Sequence, residues 1–309
     1  MHRNGLAAWA ALLTGTLVGT LIGCSPGGAG QPVPVAATAS ASASGSGSGS
    51  GSGEPSAPVS EEEVSVDRDD ALAKALKPLL PDGDARISVA VAALDGSADG
   101  AVYDGASAFD TASIVKVDIL AALLLRAQDA GRALTSQERA YATAMIENSD
   151  NASATALWEA IGGADGLDAA NLTLGLTGTR AGAGGEWGLT QTTAEDQLTL
   201  LRAVFGAEGT DSELSEASRA YAVGLMGRTA ADQRWGVSAA ADSASVCALK
   251  NGWLPRSTTG LWDINSVGRV SVGGKRYLVS VLSDGNTTKD AGVALVEGVA
   301  KAAVSVLTG

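Results

Sequence analysis

The sequence predicts an α+β fold: a five-stranded antiparallel sheet covered by the terminal helices, with a helical lobe beside it. Two observations lead there. Strand-like segments form two groups, two before and three after a long helical stretch, so they can share a sheet only across that stretch. The last two strands are joined by Gly273-Gly274, a tight-hairpin signal that makes them antiparallel neighbours.

Each element has its own signal. Asp67 to Leu80 places Ala71, Leu72, Ala75, Leu76 and Leu79 at helical spacing and is closed by Pro81-Asp82-Gly83. Arg86 to Leu94 reads as a strand, Asp95 to Gly100 as a turn, and Ala101 to Asp104 as the returning strand. Ser113 to Ala130 is apolar apart from a few polar positions, among them Lys116 and Asp118, and stops at Gly131; it predicts a buried helix. Thr135-x-x-Glu138 is a capping box that opens a helix to about Glu147. Asn151 to Ile161, Thr192 to Phe205 (with a second box, Thr192-x-x-Glu195) and Ser215 to Met226 complete the lobe. Strands return at Val246 to Trp253, Leu261 to Ser271 and Lys275 to Leu282, and Thr288 to Leu307 closes as an apolar helix. The expected site is the crevice between sheet and lobe.

The N-terminus reads as an address. Arg3 precedes an uncharged apolar run from Gly5 to Ile22 that ends Leu21-Ile22-Gly23-Cys24, so residues 1–23 resemble a bacterial lipoprotein signal peptide, with Cys24 as the lipidated first residue. Residues 24–66 follow as a disordered tether; Ser25 to Ser60 is Pro-, Ala-, Gly- and Ser-rich and has a reach of about 35 Å. Glu61-Glu62-Glu63 marks the change into globular sequence, and the folded domain is expected over 67–309. This organisation places the domain outside the cytoplasm, held to the cell membrane through the Cys24 lipid, as a monomer.

Composition narrows the chemistry. With 21 Lys+Arg against 34 Asp+Glu the net charge is −13, which disfavours nucleic acid as a partner. The one histidine is His2, inside the signal, so the processed chain has none for a Ser-His-Asp triad or a His-liganded metal. Cys24 and Cys247 cannot build a thiolate cluster, and neither a metal nor a cofactor is expected. Cys247 reads as a small buried hydrophobe.

A serine nucleophile without histidine needs another base, and lysine serves if its basicity is lowered. Ser113 and Lys116 lie three apart at the start of the apolar helix and share a face. Near a helix start the backbone N–H of Ser113 is free to meet a developing oxyanion. Two fragments follow in order: Ser149-Asp150-Asn151 between two helices, also an attractive helix cap, and Lys250-Asn251-Gly252 on the first strand after the lobe.

Ser-x-x-Lys, Ser-Asp-Asn and Lys-x-Gly in this order resemble the motifs of the penicillin-recognising serine enzymes, closest to class A β-lactamases, over roughly Asp67 to Gly309. The resemblance implies an acyl-transferring hydrolase. Ser113 would be acylated, Lys116 would take its proton, and Ser149 would relay a proton to the leaving nitrogen. Asn151, Lys250, Asn251, Gly252 and Trp253 would bind substrate, with the oxyanion between the N–H groups of Ser113 and Trp253. The substrate would be a β-lactam or a D-Ala-D-Ala-type cell-wall peptide; a surface lipoprotein that only binds peptidoglycan or a partner is the alternative. Two departures stand out. Asn251 replaces the usual threonine or serine. The glycine-rich loop from Thr179 to Gly188 lacks the Glu-x-x-Leu-Asn of class A enzymes, which leaves Glu186 as the candidate deacylation base and predicts slow deacylation. Glu147 is a second candidate base, with a solvated helix end as its plainer role. Trp187, Trp235 and Trp253 are candidates to line the cleft.

Overall fold

The computed structural model describes residues 61–80, 83–94, 100–206, 211–242 and 247–309. The signal, Cys24, the tether up to Ser60, Pro81-Asp82, the turn from Asp95 and the start of the strand at Val246 lie outside them.

Five strands form the main sheet: β1 (Arg86–Ala93), β2 (Gly100–Tyr103), β5 (Ala248–Pro255), β6 (Trp262–Val272) and β7 (Lys275–Asp284), in the order β2-β1-β7-β6-β5 and antiparallel throughout. The two groups of strands meet at β1 and β7, with Val91 opposite Val279. Alternation gives each strand two apolar faces. Val89, Val91, Val279, Val281 and Ile264 point into one core, shared with α1 (Glu61–Leu76) and α8 (Lys289–Thr308). Ala90, Ala92, Leu278 and Leu282 point into the other. That second core is shared with α2 (Val115–Asp129), α3 (Ser136–Glu147), α4 (Asn151–Ile161), α5 (Gly163–Thr173), α6 (Ala194–Phe205) and α7 (Glu216–Met226). A two-stranded ribbon, β3 (Phe109–Asp110) with β4 (Gln191–Thr192), links the chain before Ser113 to the loop after α5.

The predicted elements are present, with differences that have local causes. The first helix begins at Glu61 rather than Asp67 and ends at Leu76, because Pro78 cannot donate into an α-helix and the chain tightens into a 3₁₀ turn at Lys77–Leu79. The Thr135/Glu138 capping box forms reciprocally, at 3.1 and 2.7 Å. The second expected box shifts by one residue: Thr193, not Thr192, caps α6 by accepting from the Asp196 N–H at 3.0 Å. Thr192 instead pairs with Phe109, and its hydroxyl accepts from Gln197. Helix α5 is not among the expected elements; it follows directly on the left-handed Gly162, which joins it to α4. The hairpin at Gly273-Gly274 forms with both glycines at positive φ, as its turn type requires.

Helix α2 is buried along almost its whole length, Lys116 and Asp118 included. Asp118 is fully enclosed and accepts from the Gln197 amide at 3.2 Å. Burial pushes its carboxyl up to about 7, against the Gln197 hydrogen bond. The folded state therefore keeps a proton that the unfolded chain loses near pH 4, and stability falls as pH rises from about 4 to 7. Asp118→Asn mimics the protonated form. It should leave the melting temperature near wild type at pH 4 and raise it by several degrees at pH 8, since about three pH units correspond to on the order of 4 kcal/mol. An equal shift at both pH values in thermal melts would contradict the buried, proton-holding carboxyl.

Candidate active site

Ser113 lies on a 3₁₀ turn, Ala112–Ile114, and α2 proper begins at Val115, two residues later than the sequence suggests. The turn is entered through Ala112 at φ 47°, a left-handed conformation that costs a non-glycine residue about 1 kcal/mol. Its position is fixed from the sheet: Asn265 on β6 donates to the carbonyls of Asp110 and Thr111 at 2.8 and 3.1 Å. On β5, Gly252 passes so close that a Cβ there would lie 2.7 Å from the Ser113 nitrogen.

Lys116 is fully buried one turn along. Its Nζ lies 3.0 Å from Ser113 Oγ, 3.1 Å from Ser149 Oγ, and 2.7 Å from both the Ser149 carbonyl and Asn151 Oδ1. Burial lowers its pKa to about 8, opposed by the nearby Asp150 carboxylate. Ser149 sits between α3 and α4 at φ 57°, and it faces Lys116 with both its carbonyl and its hydroxyl. Asp150 caps α4 through the Ser153 N–H at 2.7 Å, so one tripeptide serves as helix cap and as site. Lys250, from β5, donates to the same Ser149 hydroxyl at 3.0 Å and to the Asn251 carbonyl at 2.7 Å. It is held well below the ordinary lysine range, first by burial and then by Lys116.

Ser113 and Asn151 open onto a cleft of about 480 Å³ whose wall also includes Glu186, Trp187, Trp253 and Arg256. A larger hollow of about 820 Å³, against Leu94, Leu174 and Leu278, holds none of the three motifs. Trp187 lies over Lys116, with its ring centre 4.9 Å from Nζ, and its indole N–H reaches Thr155 at 3.2 Å. Glu186 is exposed at the cleft wall. The loop carrying both closes at a neck where Arg180 and Gln191 exchange backbone hydrogen bonds at 2.8 and 2.9 Å, so it is tied down more firmly than its glycines suggest.

Asn251 is brought to the site in sequence but not in space. It is buried, its amide nitrogen donates to the carbonyls of Gln233 and Trp235 at 2.8 and 3.0 Å, and its oxygen accepts from Ser266 at 2.6 Å. The expectation that it binds substrate is thus corrected: strand alternation turns it away from Lys250, and its polar atoms are spent on the segment before β5. Trp235 packs on Trp253 at 6.0 Å between ring centres and is not part of the cleft wall. Glu147 is ion-paired with Arg228 at 2.7 Å. Cys247 is half-buried against the sheet core, and burial raises its thiol pKa, away from thiolate chemistry. The Trp187 stack over Lys116 is the contact that sequence reasoning missed; only the residue's place in the loop hinted at it.

The architecture is that of the β-lactamase-like serine hydrolases. It is similar to a class A β-lactamase from Bacteroides cellulosilyticus (19% identity, 78% of this chain and 98% of that one covered, TM-score 0.66). It is similar to a β-lactamase from Xanthomonas campestris pv. campestris (21%, 78% and 98%, 0.63). It also resembles PBP-A (19%, 77% and 96%, 0.65), a variant of which was solved as an acyl-enzyme complex with penicillin G. Residues 134–307, more than half of the chain, match the model of the β-lactamase enzyme family, and the chain belongs to that family. The matched stretch contains the Ser149 and Lys250 motifs but begins after Ser113 and Lys116. A comparison with curated proteins gives no match.

Proposed function

We propose that this protein is a serine hydrolase that forms an acyl-enzyme on Ser113 with β-lactams. The observation that carries the reading is the contact between Lys116 Nζ and Ser113 Oγ at 3.0 Å, made by a buried lysine of lowered basicity. Lys116 takes the hydroxyl proton as Oγ attacks the carbonyl carbon. The oxyanion lies against the N–H groups of Ser113 and Trp253, and the Ser149 hydroxyl, donated to by both lysines, returns a proton to the leaving nitrogen. Family membership and the acyl-enzyme of PBP-A support this reading over a binding-only role. A monomer, lipid-anchored through Cys24 outside the cytoplasm, with residues 24–66 as tether, completes the proposal.

Acylation and deacylation ask different things of this site. Deacylation needs a water set against the ester carbonyl with a base in reach. Here the loop lays the Trp187 ring, not a carboxylate, over Lys116, while Glu186 faces solvent. Mixing the protein with a penicillin should give a burst near one equivalent and then slow turnover, with the adduct on Ser113 by peptide mass spectrometry and none in Ser113→Ala. An adduct that survives Ser113→Ala would end the assignment. Fast turnover without a burst, lost in Glu186→Gln, would show that Glu186 supplies the base.

A further inference from the structure

In a chain of net charge −13 a cation without a carboxylate beside it stands out, and two such cations sit together on the sheet. Arg269 on β6 lies opposite Leu278 on β7, and Arg276 is two residues along β7 from Leu278. Strand alternation therefore puts both arginines on the face that Leu278 turns toward the helical lobe, in diagonal positions about 7–8 Å apart. Among the described residues neither guanidinium has an ion pair or a hydrogen-bond partner. Arg269 is half-buried: its Nε is shut off from solvent with no acceptor, and its guanidinium rests on the Phe205 ring, 4.9 Å from the centre. Burial lowers its pKa, and the Arg276 charge lowers it further.

Both arginines line a hollow of about 550 Å³ between the β6–β7 hairpin, the end of α6 and the start of α7, whose wall also includes Phe205, Glu216, Arg219 and Val223. That volume is in the range of small-molecule sites. None of its lining residues lines the Ser113 cleft. Arg219 is buried and donates to the Gly206 carbonyl at 3.1 Å, a hydrogen bond that leaves its charge in place. Glu216 is exposed and ion-pairs with neither Arg269 nor Arg276. The described wall thus carries three guanidinium groups and one carboxylate. Holding like charges together, with one of them half-buried, works against folding. An anion between Arg269 and Arg276 offsets both the repulsion and the lost hydration.

We propose that this hollow is a binding site for a phosphoryl group, as free phosphate or a small soluble phosphate ester, held between Arg269 and Arg276. A guanidinium presents a planar fork of N–H donors that matches phosphate or carboxylate. A carboxylate has two oxygens in one plane, and one fork takes both. A phosphoryl group has oxygens on several sides and accepts from two forks at once. The Phe205 ring and Val223 offer apolar surface to the group that carries the phosphate. A flat anionic membrane fits poorly, since Arg269 is half-buried and the charge of the chain repels such a surface. No bond is made or broken, and the site stands whether or not Ser113 is acylated.

Isothermal titration of the full chain with inorganic phosphate and with glycerol 3-phosphate, at constant ionic strength, tests the proposal. Saturable binding with a Kd of about 1 mM or tighter is expected, weakened at least about tenfold in Arg276→Gln and in Arg269→Lys, which keeps the charge but not the fork. Arg276 is exposed, so its variant tests binding in an undisturbed fold. Tighter binding of glycerol 3-phosphate would identify an ester as the ligand, and equal or tighter binding of inorganic phosphate the free ion; either supports the site. Glutarate bound as tightly as phosphate, affinity unchanged in both variants, or no saturable binding of either phosphate probe would overturn it. Association with phosphatidylglycerol vesicles in place of the soluble probes would overturn it too.

Discussion

Replacing Lys116 with arginine is expected to lower acylation of Ser113 by a factor of about 1000 or more, and the wild-type rate should rise about tenfold per pH unit up to pH 8 and then level off. Both expectations come from the same hydrogen-bond count. A charged lysine has three N–H donors and no acceptor; a neutral one has two donors and a lone pair. Four oxygens surround Lys116 Nζ, and the two nearest, the Ser149 carbonyl and Asn151 Oδ1 at 2.7 Å, take two donors in either state. Only the neutral amine then has a lone pair left for the Ser113 hydroxyl at 3.0 Å, and only that form can act as base.

With the pKa at about 8, roughly 1% of the protein has a neutral Lys116 at pH 6 and about 90% at pH 9. Arginine cannot give up its proton in this range, so charge is kept and the base is lost. The same lowered pKa makes a second, independent mark. Between about pH 8 and 10.5 the unfolded chain binds a proton that the folded one does not, so this group adds stability as pH rises through that window and none of its effect changes below it. An acylation rate flat from pH 6 to 9, or a folded Lys116→Arg protein that acylates like wild type, would remove Lys116 from the base role.

The parts of this molecule legible in the sequence are those written in local periodicity. The β-branched and apolar run in Tyr277–Leu282, the apolar run of α2 and the caps at Thr135, Ser215 and Thr288 state their structures directly, because each signal and its consequence lie within a few residues. The three motifs were legible as fragments, and the fold brings Ser113, Lys116, Ser149, Asn151 and Lys250 together. What could not be read depends on partners far along the chain. Asn251 looks like a substrate ligand until Gln233, Trp235 and Ser266 claim its amide. Trp187 looks like any loop aromatic until the neck at Arg180 and Gln191 swings it over Lys116. The positive φ values at Ala112 and Ser149 have no propensity signal at all, since neither residue favours that conformation and tertiary contacts impose it.

Gly252→Ala is expected to reduce acylation by about 100-fold or more, the added group being a single methyl. A Cβ at this position would stand 2.7 Å from the Ser113 nitrogen, 2.8 Å from the Thr111 carbonyl oxygen and 2.9 Å from the Ile114 nitrogen. All three are backbone atoms, so no change of rotamer relieves the overlap. Relief must come from moving β5 away from the nucleophile turn or the turn away from β5. Both are tied to the same strand: Gly252 pairs with Asn265 on β6, and the Asn265 side chain holds the carbonyls of Asp110 and Thr111. The strain therefore falls on the gap between Ser113 and Trp253, where the two proposed oxyanion donors would have to sit within hydrogen-bond distance of one atom. Overpacking of this kind costs about 1–3 kcal/mol, which a domain of this size can absorb as a drop of a few degrees in melting temperature. The measurement is the acylation rate of folded Gly252→Ala alongside its thermal melt. A rate within threefold of wild type would show that the close approach of β5 to Ser113 is packing alone and sets no part of the oxyanion site.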